Sequence, residues 1–74
     1  MISLFSESSL RSSLRQTRGA LRALNNAMQS PTYPHRALGE AVRAVLLQVE
    51  AALRMEVVQA QVERQRQALA RRVA

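Results

Sequence analysis

The sequence predicts an all-α fold, an antiparallel helical hairpin whose second helix is longer than its first. Two observations lead to this prediction. Apolar residues recur at gaps of three and four on both sides of one short segment, and that segment holds both prolines of the chain, Pro31 and Pro34. We expect a single domain over residues 1–74. We also expect a four-helix bundle or a complex with a partner, because two helices of this length bury little apolar surface.

The first helix is predicted over residues 7–28. Its apolar seam repeats with gaps of 4, 3, 4, 3 and 4 and comprises Leu10, Leu14, Thr17, Leu21, Leu24 and Met28. Ser6 is a suitable N-cap, Glu7 favours the positive helix end, and Phe5 is placed to pack on Leu10. Glycine is unfavourable inside a helix, so at Gly19 we expect the close approach of another helix, near Ala20, Ala23 and Ala27.

The two prolines end the first helix and begin the second. We predict a tight loop over 29–33 and a second helix over 34–72, with Pro34 in its first turn. The second helix would extend about 55 Å and the first about 33 Å, so the first should cover the second only to about Val57. From about residue 59 the chain becomes a polar, basic tail. Tyr33 in the loop is expected to cover the open end of the hairpin or to contact a partner.

The second helix carries two apolar stripes, which at about 100° per residue lie roughly opposite each other. The inner stripe is assigned to the first helix and comprises Leu38, Val42, Leu46, Val49, Leu53 and Val57. The outer stripe, which continues to Val73, is the predicted partner-binding surface and comprises Leu47, Ala51, Met55, Val58, Val62 and Leu69. One helix cannot cover opposite faces. The outer stripe must therefore meet a copy of this chain, a different protein, or the N-terminal segment folded over it.

Arginine supplies all 11 basic residues and glutamate all five acidic residues, which gives a net charge of +6. This bias is explained by a GC-rich genome or by an anionic partner. The candidate anion-contacting residues form a stripe beside the first seam and a group in the tail: Arg11, Arg15, Arg18, Arg22, Arg64, Arg66, Arg71 and Arg72. The stripe is interpreted as a solvated flank, a site for an acidic partner, or a set of phosphate contacts. One Phe and one Tyr are too few for a surface that stacks single-stranded bases.

The sequence lacks the patterns of catalytic and metal-binding sites. Cysteine and aspartate are absent, and His35 is the only histidine, expected to be exposed or to cap the second helix. There is no Gly-rich phosphate loop. We therefore expect no enzyme activity, no cofactor and no metal. No apolar run has the length of a membrane span and no secretory signal is visible, so we expect a cytoplasmic location.

A set of short motifs between residues 8 and 58 is typical of a known family: Leu14-Arg15-Gln16, Ala20-Leu21, Ala23-Leu24, Ser30-Pro31-Thr32-Tyr33 and Ala51-Ala52-Leu53. The chain resembles the small E-type co-chaperones of bacterial type III secretion needles, which are helical hairpins of about this size. The resemblance implies that the hairpin joins a larger helical-repeat chaperone, and that the two hold the needle subunit unpolymerised in the cytoplasm. An apolar face of the hairpin would be the docking surface. The basic tail from Gln59 to Ala74 extends beyond the family pattern.

Taken together, the patterns favour a non-enzymatic protein-interaction module, that is, an adaptor, chaperone or inhibitor that binds a partner through the outer stripe. The alternative is a small, basic, dimeric nucleic-acid-associated protein in which paired hairpins present Arg to phosphates.

Overall fold

The chain forms two helices that pack against each other as an antiparallel hairpin. The computed structural model describes residues 6–73, in which α1 spans Glu7–Met28 and α2 spans Arg36–Val73. Within that range there is no strand, and the prediction of an all-α hairpin with a longer second helix is confirmed. Glu7 at the start of α1 pairs with Arg64, and Arg18 in the middle of α1 pairs with the earlier α2 residue Glu50, as an antiparallel arrangement requires.

The start of α1 is fixed by local hydrogen bonds. The hydroxyl of Ser6 accepts a hydrogen bond from the backbone N–H of Ser9 at 3.1 Å, which makes Ser6 the N-cap as predicted. Glu7 lies in the first turn, where a negative charge is favourable. The expected packing of Phe5 on Leu10 involves a residue outside the described range.

The apolar seam of α1 faces α2 as predicted. Its buried members are only 7–8% exposed and comprise Leu10, Leu14, Leu21 and Met28. Leu24 is half-buried. Thr17, the polar member, is also half-buried, and its hydroxyl donates to the carbonyl of Ser13 at 2.8 Å. Because this bond satisfies the hydroxyl within its own helix, Thr17 fits the seam without an unpaired polar group.

The loop reverses the chain through a turn over residues 30–33. The backbone N–H of Tyr33 donates to the carbonyl of Ser30 at 3.2 Å, and Pro31 occupies the second position of the turn, where its fixed φ is suitable. The guanidinium of Arg36 donates to the same carbonyl at 3.0 Å. The side chain of Arg36, the first residue of α2, therefore stabilises the turn.

The second helix begins later than predicted. Its first α-type hydrogen bond runs from the N–H of Gly39 to the carbonyl of His35 at 2.8 Å. His35 thus stands at the N-cap position, exposed, and Pro34 precedes the helix instead of lying in its first turn. Pro34 still fixes the direction in which the chain enters α2, because its φ is restricted.

The face of α2 that meets α1 is rotated relative to the predicted inner stripe. Leu46, Leu53 and Val57 do face α1 and are half-buried or buried. The assignment of three other members is wrong, because 40–62% of their surface is exposed: Leu38, Val42 and Val49. The observed seam repeats every seven residues, as the α1 seam does, and it runs through Gly39, Leu46, Leu53 and Ala60.

The two glycines have different environments. Gly39 is buried in the seam, where a Cβ would lie 3.0 Å from the sulfur of Met28 and 3.1 Å from Cε1 of Tyr33. The absence of a side chain thus lets the loop aromatic and the end of α1 lie against α2. Gly19 is exposed and a Cβ there would meet no atom within 4 Å, so the expected close approach of a helix at Gly19 is wrong for the hairpin.

The first helix covers more of α2 than predicted, but a basic end still projects. Ala60 and Gln61 are half-buried and Arg64 reaches Glu7 at 3.6 Å, so the cover ends near residue 64 and not near Val57. Every described side chain from 62 to 72 is exposed. The last turns of α2 therefore extend about 13 Å past α1. No described side chain is fully buried, which leaves the hairpin with a thin core.

Candidate protein-binding surface

The outer stripe lies on the solvent-exposed side of α2. Its large apolar side chains are 41–63% exposed, and they comprise Leu47, Met55, Val58, Val62 and Leu69. Ala51 is exposed with them, and the side chain of Val73 lies outside the described part. At about 100° per residue, the centre of the stripe is roughly 130° around α2 from the seam. Since α1 occupies the seam, it cannot reach this stripe, and the chain carries a row of large apolar groups in water.

The middle of the outer stripe is slightly concave. An open depression of about 600 Å³ is lined by Ala51, Arg54, Met55, Val58 and Gln59. Three of these five residues are apolar, and Arg54 supplies a charge at the rim. A depression of this form suits one inserted apolar side chain with a polar group beside it.

A second exposed apolar group lies near the loop end of α2, and we name it the edge cluster. Its members are 40–62% exposed and comprise Leu38, Val42, Val45 and Val49. The sequence reading placed three of them in the seam and did not single out Val45. The seven-residue repeat that begins at Gly39 would have predicted the cluster, because it places Leu46 and Leu53 in the seam and leaves the four cluster residues outside it.

Arginines of both helices border the seam along one edge of the hairpin, which we name the basic edge. Three shallow depressions of about 380–430 Å³ follow it, and between them they are lined by Arg11, Arg15, Arg18, Arg22, Arg36, Arg43 and Arg64. Arg36 and Arg43 were not predicted as site residues. They line a depression with Asn25, Met28 and Gln29 at the end of α1, and Glu40 lies in the same depression.

Glutamates offset part of the charge of the basic edge. Glu7 accepts from the guanidinium of Arg11 at 3.0 Å and lies 3.6 Å from Arg64. Glu50 accepts from Arg18 at 3.3 Å. These are surface pairs, which contribute about 1 kcal/mol or less each. Several guanidinium groups of the edge thus remain directed to solvent.

The predicted anion-contacting residues do not form one surface. Arg64 joins the basic edge, whereas the other arginines of the tail stand on the projecting end of α2 and are exposed. By helical position, Arg66 and Arg72 flank the outer stripe, and Arg71 lies on the opposite side of the helix. The structure therefore divides the set between the basic edge and the margin of the apolar surface.

Between 6 and 73 no group of three or more His, Asp or Glu side chains is placed to hold a metal ion. In the same part of the chain, neither helix has a segment that is both long enough and apolar enough to cross a bilayer.

Tyr33 is half-buried against Gly39, and its ring meets that of His35 edge-on at 6.5 Å between centroids.

Comparison of the chain with protein-family models, with curated proteins and with solved structures finds no match.

Proposed function

We propose that this chain is a non-enzymatic helical interaction module that binds another protein through the outer stripe of α2. The observation that carries the proposal is the exposure of the large apolar side chains of that stripe, at 41–63% of their surface. Such a row, continued over several turns, is the usual form of a surface that receives a partner helix.

The thin core of the hairpin supports the same proposal. Within the described part of the chain five apolar side chains are buried, and each keeps 7–8% of its surface in water. A core of this size offsets chain entropy poorly in a chain of 74 residues. Burial of the outer stripe against a partner would add the missing apolar contact, so binding and stability would be coupled.

The proposal includes the finer expectations that the resemblance carries. An adaptor or chaperone of the type III secretion co-chaperone kind, located in the cytoplasm, would use one apolar hairpin face to dock on a larger helical protein. The exposed outer stripe is the part of this chain that suits such a role. An inhibitor that masks a partner would need the same surface.

Photo-crosslinking tests the proposal. A crosslinking amino acid at Val58 should capture a discrete partner in the cells that naturally make the chain. Met55→Glu combined with Val62→Glu should abolish the product, because it places two carboxylates in an apolar interface. The matched control is Gln16→Glu combined with Ala23→Glu, which makes the same addition of negative side chains on the exposed face of α1. Loss of the product in both backgrounds, or in neither, would contradict the proposal.

The basic edge favours a second candidate function, contact with nucleic-acid phosphates by paired hairpins. Its support is that Arg11 and Arg15 of α1 line one depression together with Arg64 of α2, while the other arginines of the basic edge line two further depressions. Binding to a short DNA duplex should then weaken steeply as salt rises, with a slope that decreases when Arg15 and Arg22 become Gln. Absent binding, or binding that salt does not change, would remove this candidate.

A further inference from the structure

We infer that the partner of the outer stripe is an amphipathic helix whose own apolar stripe is flanked by carboxylates. This inference rests on the proposed function and adds the chemistry of the partner. Its basis is the charge at the two margins of the stripe, which is of one sign over the whole length of the surface.

The margins carry only arginine and glutamine. Between residues 47 and 72, the half of α2 centred on the outer stripe includes three charged residues, Arg54, Arg66 and Arg72. The polar residues interleaved with them are Gln48, Gln59, Gln61 and Gln65. At about 100° per residue, each arginine stands roughly 60° from the centre of the stripe, close enough to border a docked helix.

In this segment the glutamates of α2 lie outside the outer stripe and its margins. Glu50 lies toward α1 and is paired with Arg18 at 3.3 Å. Glu56 and Glu63 are on the other half of the helix by their positions, more than about 110° from the centre of the stripe. Arg54, Arg66 and Arg72 form no ion pair with any residue of the described range, and all three are exposed. No ion pair within the described range therefore neutralises the margins.

The spacing of the arginines sets the length and pattern of the partner. Arg54 and Arg72 border the same side of the stripe and are separated by five turns, about 27 Å. Arg66 borders the other side. A partner helix of about 20 residues would span both, with apolar residues at gaps of three and four and carboxylates on each flank. Arg54 also lines the depression with Met55 and Val58, so an inserted side chain and its neighbouring carboxylate would be held together.

A second copy of this chain is a poorer occupant of the outer stripe. Antiparallel pairing of two identical stripes would set one Arg-bearing margin against another. Neither copy would supply a carboxylate from its own outer margin, and like charges at an interface oppose association. A heterologous helix with acidic flanks avoids this repulsion and gains charge-assisted hydrogen bonds.

Two synthetic helices distinguish these cases. Both are about 20 residues long and have the same leucine stripe, but one is flanked by Glu and the other by Lys. Fluorescence anisotropy of the labelled peptides gives their dissociation constants for the full chain. We expect the Glu-flanked peptide to bind about tenfold more tightly at about 50 mM salt, with a preference that decreases at about 500 mM.

Charge reversal shows which arginines act. Arg54→Glu combined with Arg66→Glu should reverse the preference between the peptides. Arg15→Glu combined with Arg22→Glu makes the same change in net charge on the basic edge and should leave the preference in place. An equal loss of preference in both variants would show general attraction to a basic chain, and it would overturn the inference.

The remaining outcomes separate the inference from the proposed function. Equal binding of both peptides, abolished by Met55→Glu with Val62→Glu, would overturn the inference and keep the proposed function. Absence of binding by either peptide also overturns the inference. The mass of the free chain by light scattering then shows whether a second copy closes the stripe, since a stable dimer would occupy it.

Discussion

Replacement of Gly19 by alanine should stabilise the hairpin. Gly19 lies inside α1, is exposed, and an added Cβ would meet no atom within 4 Å. A glycine inside a helix costs about 1 kcal/mol relative to alanine, mostly through the greater freedom of the unfolded chain. Because the added methyl group meets no steric clash, the free energy of unfolding should rise by the full helix-propensity difference, about 1 kcal/mol. For a domain of this size that is about 4–8 °C in Tm.

The matched control is Gly39→Ala, which makes the same chemical change in the other helix. Here the new Cβ would lie 3.0 Å from the Met28 sulfur and 3.1 Å from Cε1 of Tyr33. The Met28 side chain and the tyrosine ring must move, and overpacking of this kind costs about 1–3 kcal/mol. The control should therefore be less stable than Gly19→Ala by at least about 1 kcal/mol, because the steric cost cancels the propensity gain.

Thermal unfolding followed by circular dichroism at 222 nm measures both variants. All samples need one protein concentration, since association would stabilise the folded state by mass action. A Tm for Gly19→Ala below that of the parent chain would refute the reasoning. It would mean that a helix from outside the hairpin approaches Gly19, since α1 and α2 leave that position open.

Three further outcomes follow from the contacts of the hairpin. Leu14→Ala removes a seam residue that is 8% exposed and should lower the free energy of unfolding by about 2–3 kcal/mol, measured by urea titration. Ser6→Ala removes the cap to Ser9 and should cost about 1 kcal/mol in the same titration, with Ser6→Asp as the variant that retains it. A double-mutant cycle on Arg18 and Glu50 should give a coupling below about 1 kcal/mol that decreases with salt. A larger, salt-insensitive value would contradict the view of this pair as a surface contact.

The structure of α1 was predictable because its signals are local and agree with each other. The N-cap at Ser6, the apolar gaps of three and four, and the prolines beyond Met28 each act within one or two turns. The burial of the seam follows from them. The loop was predictable for the same reason, since Pro31 has few alternatives to a turn at that position.

The face of α2 that packs on α1 was not predictable from the positions of its apolar residues. This helix has apolar residues over much of its circumference, so a pattern that includes Leu38 and Val42 fits the sequence as well as the true one does. The contact that sets the register is between Gly39 and the side chains of Met28 and Tyr33. The local sequence around Gly39 does not predict this contact. The edge cluster was missed as a consequence of that choice.

The outer stripe was predictable as a pattern, and its exposure agrees with the expectation that α1 does not cover it. The composition of its margins was visible in the sequence as well. The division of the arginines between two surfaces was not predictable from the sequence, because the antiparallel seam brings Arg64 to Glu7 and places Arg36 and Arg43 beside the end of α1. That arrangement depends on the packing of the two helices.

The central claim is that another molecule covers the outer stripe in the cell, and thiol labelling tests it most directly. The chain has no cysteine, so Met55→Cys and Ala23→Cys each provide one reporter thiol, on the outer stripe and on the exposed face of α1. In the purified chain we predict similar labelling rates at the two positions. In the cells that naturally make the protein, we predict that position 55 becomes at least about tenfold slower while position 23 does not change, because binding removes the stripe from solvent. Equal rates at both positions inside the cell would contradict the claim.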